Sequence, residues 1–154
     1  MGEKDVPPVK AVIHLADKTL VKGYLKGHTS TWNGLGPGHV PLPEEFELNL
    51  VEGGSATICL GQAKAVFFVR EFQGQPAYNE LRFFKTVPEF RGLWVRLRFM
   101  DGEVTEGLVH NSLPLLIEPG FFLKPPDPQS NNKMIYALKK RLADFQVMGL
   151  RADY

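Results

Sequence analysis

Residues 9–25 and 93–109 repeat one pattern without a gap, and a chain that repeats itself is constrained to repeat a fold. Val9 matches Leu93, Ala11 matches Val95, Ile13 matches Leu97 and Leu15 matches Phe99. Asp17 then matches Asp101, Leu20 matches Val104 and Gly23 matches Gly107. Each stretch alternates apolar and polar residues, turns, and resumes, which is the pattern of a half-buried strand, a tight turn and a second strand. Asp101-Gly102 predicts a primed two-residue hairpin turn, because Gly supplies positive φ at little cost. Asp17-Lys18 holds the same place with weaker chemistry. Gly23 and Gly107 fall inside the second strands, where Gly marks a bulge or bend of the kind that closes a small sheet.

The remainder of each unit also matches, with a small gap. Ala56–Leu60 reads as a strand, Gly61–Lys64 as a short turn and Ala65–Val69 as a strand. Their counterparts are Met134–Leu138, Lys139–Ala143 and Asp144–Met148. An intermediate strand, Phe46–Val51 in one unit and Gly120–Lys124 in the other, brings each to five. A rival reading makes 132–148 one helix, with Met134, Ile135, Leu138, Leu142 and Phe145 as its apolar stripe. The repeat favours strands, since the equivalent Ala65–Val69 run is β-prone. The expectation is an all-β chain of two small five-strand barrels, an internal duplication. Residues 1–70 form the first unit, 71–92 a linker with a short helix over Tyr78–Lys85, and 93–154 the second unit. Val66 and Phe68 are expected to be buried.

The net charge of +1 gives the whole chain no long-range pull on nucleic acid or anionic membrane. The charge is uneven, with five basic and seven acidic residues in 1–63 against thirteen basic and ten acidic in 64–154. Cys59 is the only cysteine, so no internal disulfide forms, and the chain is compatible with a reducing compartment. The first residues hold no apolar signal core, and no apolar run is long enough to span a membrane. A cytoplasmic location is expected.

Chemistry-bearing patterns are sparse. No Ser lies in a Gly-x-Ser-x-Gly elbow, and Cys59 sits mid-strand as a small apolar group. His14, His28, His39 and His110 lack metal-ligand spacing, and His14 is expected on the polar face of a first strand, at the surface. The oxygen-rich stretch 127–132 holds one carboxylate, too few for calcium, and reads as capped turns. The glycine-rich 33–38 lacks the Lys-Ser/Thr of a phosphate-binding loop, although Trp32 beside it is a plausible contact residue. No catalytic residue, metal or cofactor is expected. Trp94, Arg96 and Arg98 share one strand face, and Arg91 precedes them. Such a face suits phosphate pairing and base stacking. Arginines paired with Glu103 or Glu106 across the hairpin are the plainer reading.

Lys64–Arg70, Val95–Gly107 and Gly120–Asn132 resemble motifs of an uncharacterised bacterial domain family found in signalling contexts, sometimes near PilZ-type second-messenger modules. The resemblance covers roughly residues 60–150 and implies no catalytic activity. The fold resembles tandem Sm-like or SH3-like barrels. The Sm-type RNA-binding signature is not recognisable, and Arg91 to Arg96 has the wrong spacing for a PilZ arginine pair. The first functional expectation is therefore a non-catalytic interaction or regulatory module, two barrels packed as a pseudo-dimer that binds a protein partner at strand edges or loops. A homo-oligomer through strand edges is a further option. The alternative is a cyclic-dinucleotide or RNA binder using Trp32, Arg91, Trp94, Arg96 and Arg98. An enzyme of unknown class comes third.

Overall fold

A computed structural model describes residues 9–25, 42–74, 81–86 and 92–151. The first half contributes β1 (Lys10–Leu15), β2 (Leu20–Leu25), β3 (Glu45–Leu50), β4 (Ser55–Cys59) and β5 (Ala63–Val69). The second contributes β6 (Gly92–Phe99), β7 (Val104–Val109), a five-residue helix α1 (Leu113–Ile117), β8 (Gly120–Leu123), β9 (Asn132–Leu138) and β10 (Leu142–Arg151). Single 3₁₀ turns, Leu60–Gln62 and Lys139–Arg141, join β4 to β5 and β9 to β10. The strand reading of 132–148 is therefore the correct one: two strands joined by a single 3₁₀ turn, with no α-helix.

The chain is all-β, but its sheets are not two closed barrels. A seven-stranded sheet runs β4-β3-β2-β1-β5-β9-β8, and a three-stranded sheet runs β10-β6-β7. The reason lies in β5. It pairs antiparallel with β1 along one edge and with β9 along the other, so its second edge joins the two halves rather than meeting β4. The two sheets touch where Leu108 and Lys124 exchange backbone hydrogen bonds of 3.0 and 2.9 Å.

Successive side chains on a strand point to opposite faces, and here both faces of the central strands are covered. Ala11, Ile13, Val66, Phe68, Met134 and Tyr136 enter one core, with Leu48 and Ile58 from β3 and β4. Val12, Ala65, Phe67, Ile135 and Ala137 enter the other, beneath Val95, Leu97 and Phe121. Val66 and Phe68 are 0% and 2% exposed, as the alternation required. Strands buried on both faces become continuous apolar runs, which accounts for Ala65–Val69 and Met134–Leu138.

Both hairpin turns depart from the expected two-residue form. Phe99 N–H donates to the Glu103 carbonyl and Gly102 N–H donates to Phe99, which makes a three-residue loop with its left-handed residue last. Gly102 has φ 95° and Lys18, at the equivalent place, φ 75°. Asp supplies the remaining constraint. Asp17 Oδ1 accepts the Thr19 amide at 2.9 Å and Asp101 Oδ1 the Glu103 amide at 3.0 Å, the local bond that makes Asp a turn residue.

The linker expectation is corrected over its described part. Residues 81–86 are not helical. Their amides are drawn sideways, Leu81 N–H to Asp127 Oδ2 at 3.1 Å and Phe84 N–H to Glu106 Oε1 at 3.0 Å. Residues 78–80 lie outside the described residues.

Candidate interaction surface

β10 is long for a strand at the edge of a sheet. Its only described strand partner is β6, which leaves a second edge of backbone N–H and C=O groups unpaired among the described residues. Natural edges are usually blunted by Lys, Pro or a covering segment. From Leu142 to Leu150 this strand has no Pro and no Lys, and its one charge is Asp144. Val147, Met148 and Leu150 are 53%, 39% and 64% exposed.

The neighbouring helix adds to the same surface. Ser112 precedes α1 and Pro114 lies in its first turn, where the missing amide costs nothing. The helix buries none of its residues, and Leu113, Leu116 and Ile117 are all exposed. A groove of about 620 Å³ runs between α1 and β10, with Leu93, Leu115, Leu116, Phe121, Phe145 and Val147 in its wall. Within it Phe145 stands edge-on to Phe121, with ring centres 5.6 Å apart. Basic residues Lys139, Lys140 and Arg141 occupy the turn that leads into β10. Exposed apolar side chains beside an unpaired strand edge are the ingredients of strand-addition recognition.

Of the residues singled out from the sequence, Arg96 follows the plainer reading and pairs with Glu106 across the hairpin. Trp32 and Arg91 lie outside the described residues, as do His28, His39 and the glycine-rich stretch 33–38. Trp94 and Arg96 converge on one carboxylate, that of Glu106, which is 1% exposed. Arg96 donates to Glu106 Oε2 through Nε at 2.9 Å and Nη2 at 2.6 Å, and Trp94 Nε1 donates to Oε1 at 3.3 Å. Phe83 lies under the Arg96 guanidinium at 5.6 Å, and Phe84 meets Trp94 edge-on at 5.9 Å. Residues 81–86 thus cover part of the face expected to take an anion, and Arg96 is already paired. Arg98 remains exposed on the same strand. Burial disfavours the Glu106 anion, but the Phe84 amide, Arg96 and Trp94 together hold its carboxyl below the ordinary value of 4.5.

A second polar cluster was not anticipated. Lys64 Nζ bonds Asp101 Oδ2 at 2.7 Å and also Glu103 Oε1, and sits 4.6 Å from the Phe99 ring centre. This group ties β5 of the first half to the second hairpin. Its only sequence signal was a lysine opening an otherwise apolar strand. His14 beside it is not a surface histidine. It is half-buried against Phe67, ring centres 4.1 Å apart, and burial, then Lys64, lowers its pKa from 6.5. Burial, then Glu118, pushes the Tyr136 hydroxyl up to about 12. Stretch 127–132 does form capped turns, with Asp127 Oδ1 accepting Gln129 N–H and Ser130 Oγ accepting Asn132 N–H, both at 2.9 Å. Among the described residues no three His, Cys, Asp or Glu side chains gather as metal ligands, and no helix is long and apolar enough to cross a membrane.

A family model matches residues 8–149, nearly the whole described chain. The chain belongs to DUF6982, a family of unknown function. Comparison with curated proteins and with solved structures found no match. The strongest feature on the described surface of this DUF6982 chain is the β10 edge.

Proposed function

We propose that this chain is a non-catalytic interaction module, a tandem of two Sm-like or SH3-like five-strand units that binds a protein partner along the free edge of β10. The observation that carries the reading is that edge: ten residues, unpaired on one side among the described residues, without Pro or Lys, and flanked by an apolar groove. The motif resemblance supports a regulatory role in a bacterial cytoplasm.

Pairing registers support the tandem. In the first half Ala11 pairs Gly23 and Ile13 pairs Val21, and in the second Val95 pairs Gly107 and Leu97 pairs Thr105. Ile13 also pairs Val66 and Leu15 pairs Ala63, just as Leu97 pairs Phe145 and Phe99 pairs Leu142, with a register shift in the same place. Leu48 pairs Ala56, and Leu123 pairs Ile135. Tyr24 pairs Asn49, and Leu108 bridges Lys124. The residues that open the two 3₁₀ turns match too, with Cys59 at φ −93°, ψ 111° and Leu138 at φ −88°, ψ 121°.

The test is partner capture by the full chain and by Val147→Lys, a charge placed on an exposed edge position. Loss of the partner with an unchanged melting temperature is the expected result. Equal capture by both proteins would defeat the reading, as would substrate turnover by a chain that captures nothing. The nucleotide alternative keeps Arg98 as its exposed described cation, and it predicts heat in calorimetry with cyclic dinucleotides that Arg98→Glu abolishes.

A further inference from the structure

We infer that the partner at the β10 edge is a second copy of this chain, joined head to tail, with β10 of one copy lying antiparallel beside β4 of the next. The inference rests on the tandem reading. Following hydrogen-bonded neighbours through the described molecule gives one path, β4-β3-β2-β1-β5-β9-β8, then the Leu108–Lys124 bridge, then β7-β6-β10. Its two ends are β4 and β10. Among the described residues neither end has a second strand, and β4, Ser-Ala-Thr-Ile-Cys, has no charge and no Pro to guard it.

The chain already contains the contact that would join those ends. In the middle of the path β5, the fifth strand of the first unit, pairs with β9, the fourth strand of the second. β10 is the fifth strand of the second unit and β4 the fourth of the first. Ala63 and Leu142, the residues paired with Leu15 and Phe99, differ by 79 positions (142 − 63). Applying that shift to the observed seam converts Ala65↔Ala137 into Asp144↔Ile58 and Phe67↔Ile135 into Gln146↔Ala56. Phe68↔Met134 becomes Val147↔Ser55, and the shifted pair Val69↔Asn132 becomes Met148↔Gly53.

Burial follows the same mapping. Phe68 and Val69 are 2% and 4% exposed at the seam, whereas Val147 and Met148 are 53% and 39% exposed at the free edge. The pairing of Glu45 with Cys59 and of Gly120 with Leu138 sets the offset of the third strands at 75 (120 − 45). That offset puts Ile117, 64% exposed, where Leu42 is 4% exposed. Buried apolar positions in the first half thus have exposed apolar counterparts at Val147, Met148 and Ile117. Charge agrees: residues 42–60 carry Glu44, Glu45, Glu47 and Glu52 and no basic residue, whereas Lys139, Lys140 and Arg141 lead into β10. Because the contact joins two different surfaces, copies form a closed ring if the rotation between them closes and a filament if it does not.

The test is sedimentation of the full chain over a range of concentrations, with disulfide trapping in a Cys59→Ser background. Wild type is expected at multiples of 17.3 kDa, with Val147→Lys and Thr57→Lys each reverting to one copy. Mixing Val147→Cys chains with Ser55→Cys chains is expected to give a cross-linked pair that neither gives alone. The trapping decides the matter even if a lysine variant folds poorly. A single-copy mass at every concentration overturns the inference, and so does trapping of Val147→Cys with itself. A single-copy chain that still loses another protein partner through Val147→Lys would sink self-association and leave the interaction-module reading standing.

Discussion

β5 and β10 do the same job in their halves, each returning after a 3₁₀ turn to pair with the first strand, yet their surroundings are opposite. β5 has strands on both edges and a core on both faces, and all but one of its seven residues are buried. β10 has one described strand neighbour, and from Gln146 to Met148 its side chains are at least partly exposed. The sequences record the difference. Ala-Lys-Ala-Val-Phe-Phe-Val is apolar except for Lys64, whose charge is answered by Asp101 and Glu103. Leu-Ala-Asp-Phe-Gln-Val-Met alternates only loosely and keeps apolar residues where solvent now stands. Pairing with the first strand of each half sets the register of β5 and β10, whereas their neighbours fix what composition each can carry.

The sharpest way to break this comparison is to cut matched positions. Phe68→Ala is expected to cost about 3–5 kcal/mol, because it empties a filled core. Val147→Ala, its counterpart, should stay within about 0.5 kcal/mol in dilute solution, as exposed positions do. Urea melts of the two variants read the difference directly. Similar losses in both would mean that β10 is buried in the isolated chain and that its edge is not free.

The two internal glycines ask whether the halves share geometry as well as register. A Cβ at Gly23 would collide with Asn49 O and lie 2.7 Å from Leu48 Cγ, and at Gly107 it would lie 2.5 Å from Leu123 Cδ1 and 2.7 Å from Lys124 O. In each case β2 or β7 crosses so close to its neighbour that backbone occupies the side-chain volume. Gly23→Ala and Gly107→Ala should each destabilise by about 1–3 kcal/mol, the usual cost of overpacking. Thermal melts showing a large cost at one and none at the other would separate the halves.

Much of this architecture was legible in the sequence. The hairpins, the short turns before β5 and β10 and the burial of Val66 and Phe68 follow from alternation, Asp-containing turns and repetition. The β5·β9 seam also left a trace in the sequence. Ala65–Val69 and Met134–Leu138 are unbroken apolar runs, and such a run says that both faces are covered, so something must lie outside the unit. The covering of Trp94 and Arg96 was not legible. It depends on the Phe84 backbone amide reaching Glu106, and every non-proline residue offers an amide. The exposure of α1 and β10 was equally hidden, because period and parity say which residues share a face but not whether a neighbour covers it.

The halves also differ in how they hold charge, and pH separates them. Glu106 and His14 both titrate lower in the fold than in the open chain, so protons bind the unfolded chain more readily. The His14 contribution is complete above pH 6.5 and fades as pH falls below it. That of Glu106 is complete above pH 4.5 and is lost as pH falls through its lower folded value. Glu106→Gln should cost about 1.5 kcal/mol at neutral pH, the scale of hydrogen bonds to a charged group. It should also flatten the loss of melting temperature below pH 4.5. His14→Gln should flatten the fall that sets in below pH 6.5 instead. Unchanged profiles in both variants would remove these groups from the account of acid sensitivity.

The smallest expected effect compares the hairpin turns, where the halves solve one problem with different residues. Gly102 is left-handed with nothing within 4 Å of the place a Cβ would take, so Gly102→Ala tests backbone strain alone. It should cost about 1 kcal/mol, the scale of the left-handed penalty for an L-residue. Lys18 already bears that penalty at φ 75°. Lys18→Gly relieves it but loosens the unfolded chain, so the gain should be only about a few tenths of a kcal/mol. If Lys18→Gly instead destabilises by as much as Gly102→Ala, the Lys18 side chain makes a contribution that the second turn lacks. The two hairpins would then be alike in hydrogen bonding but not in what holds them.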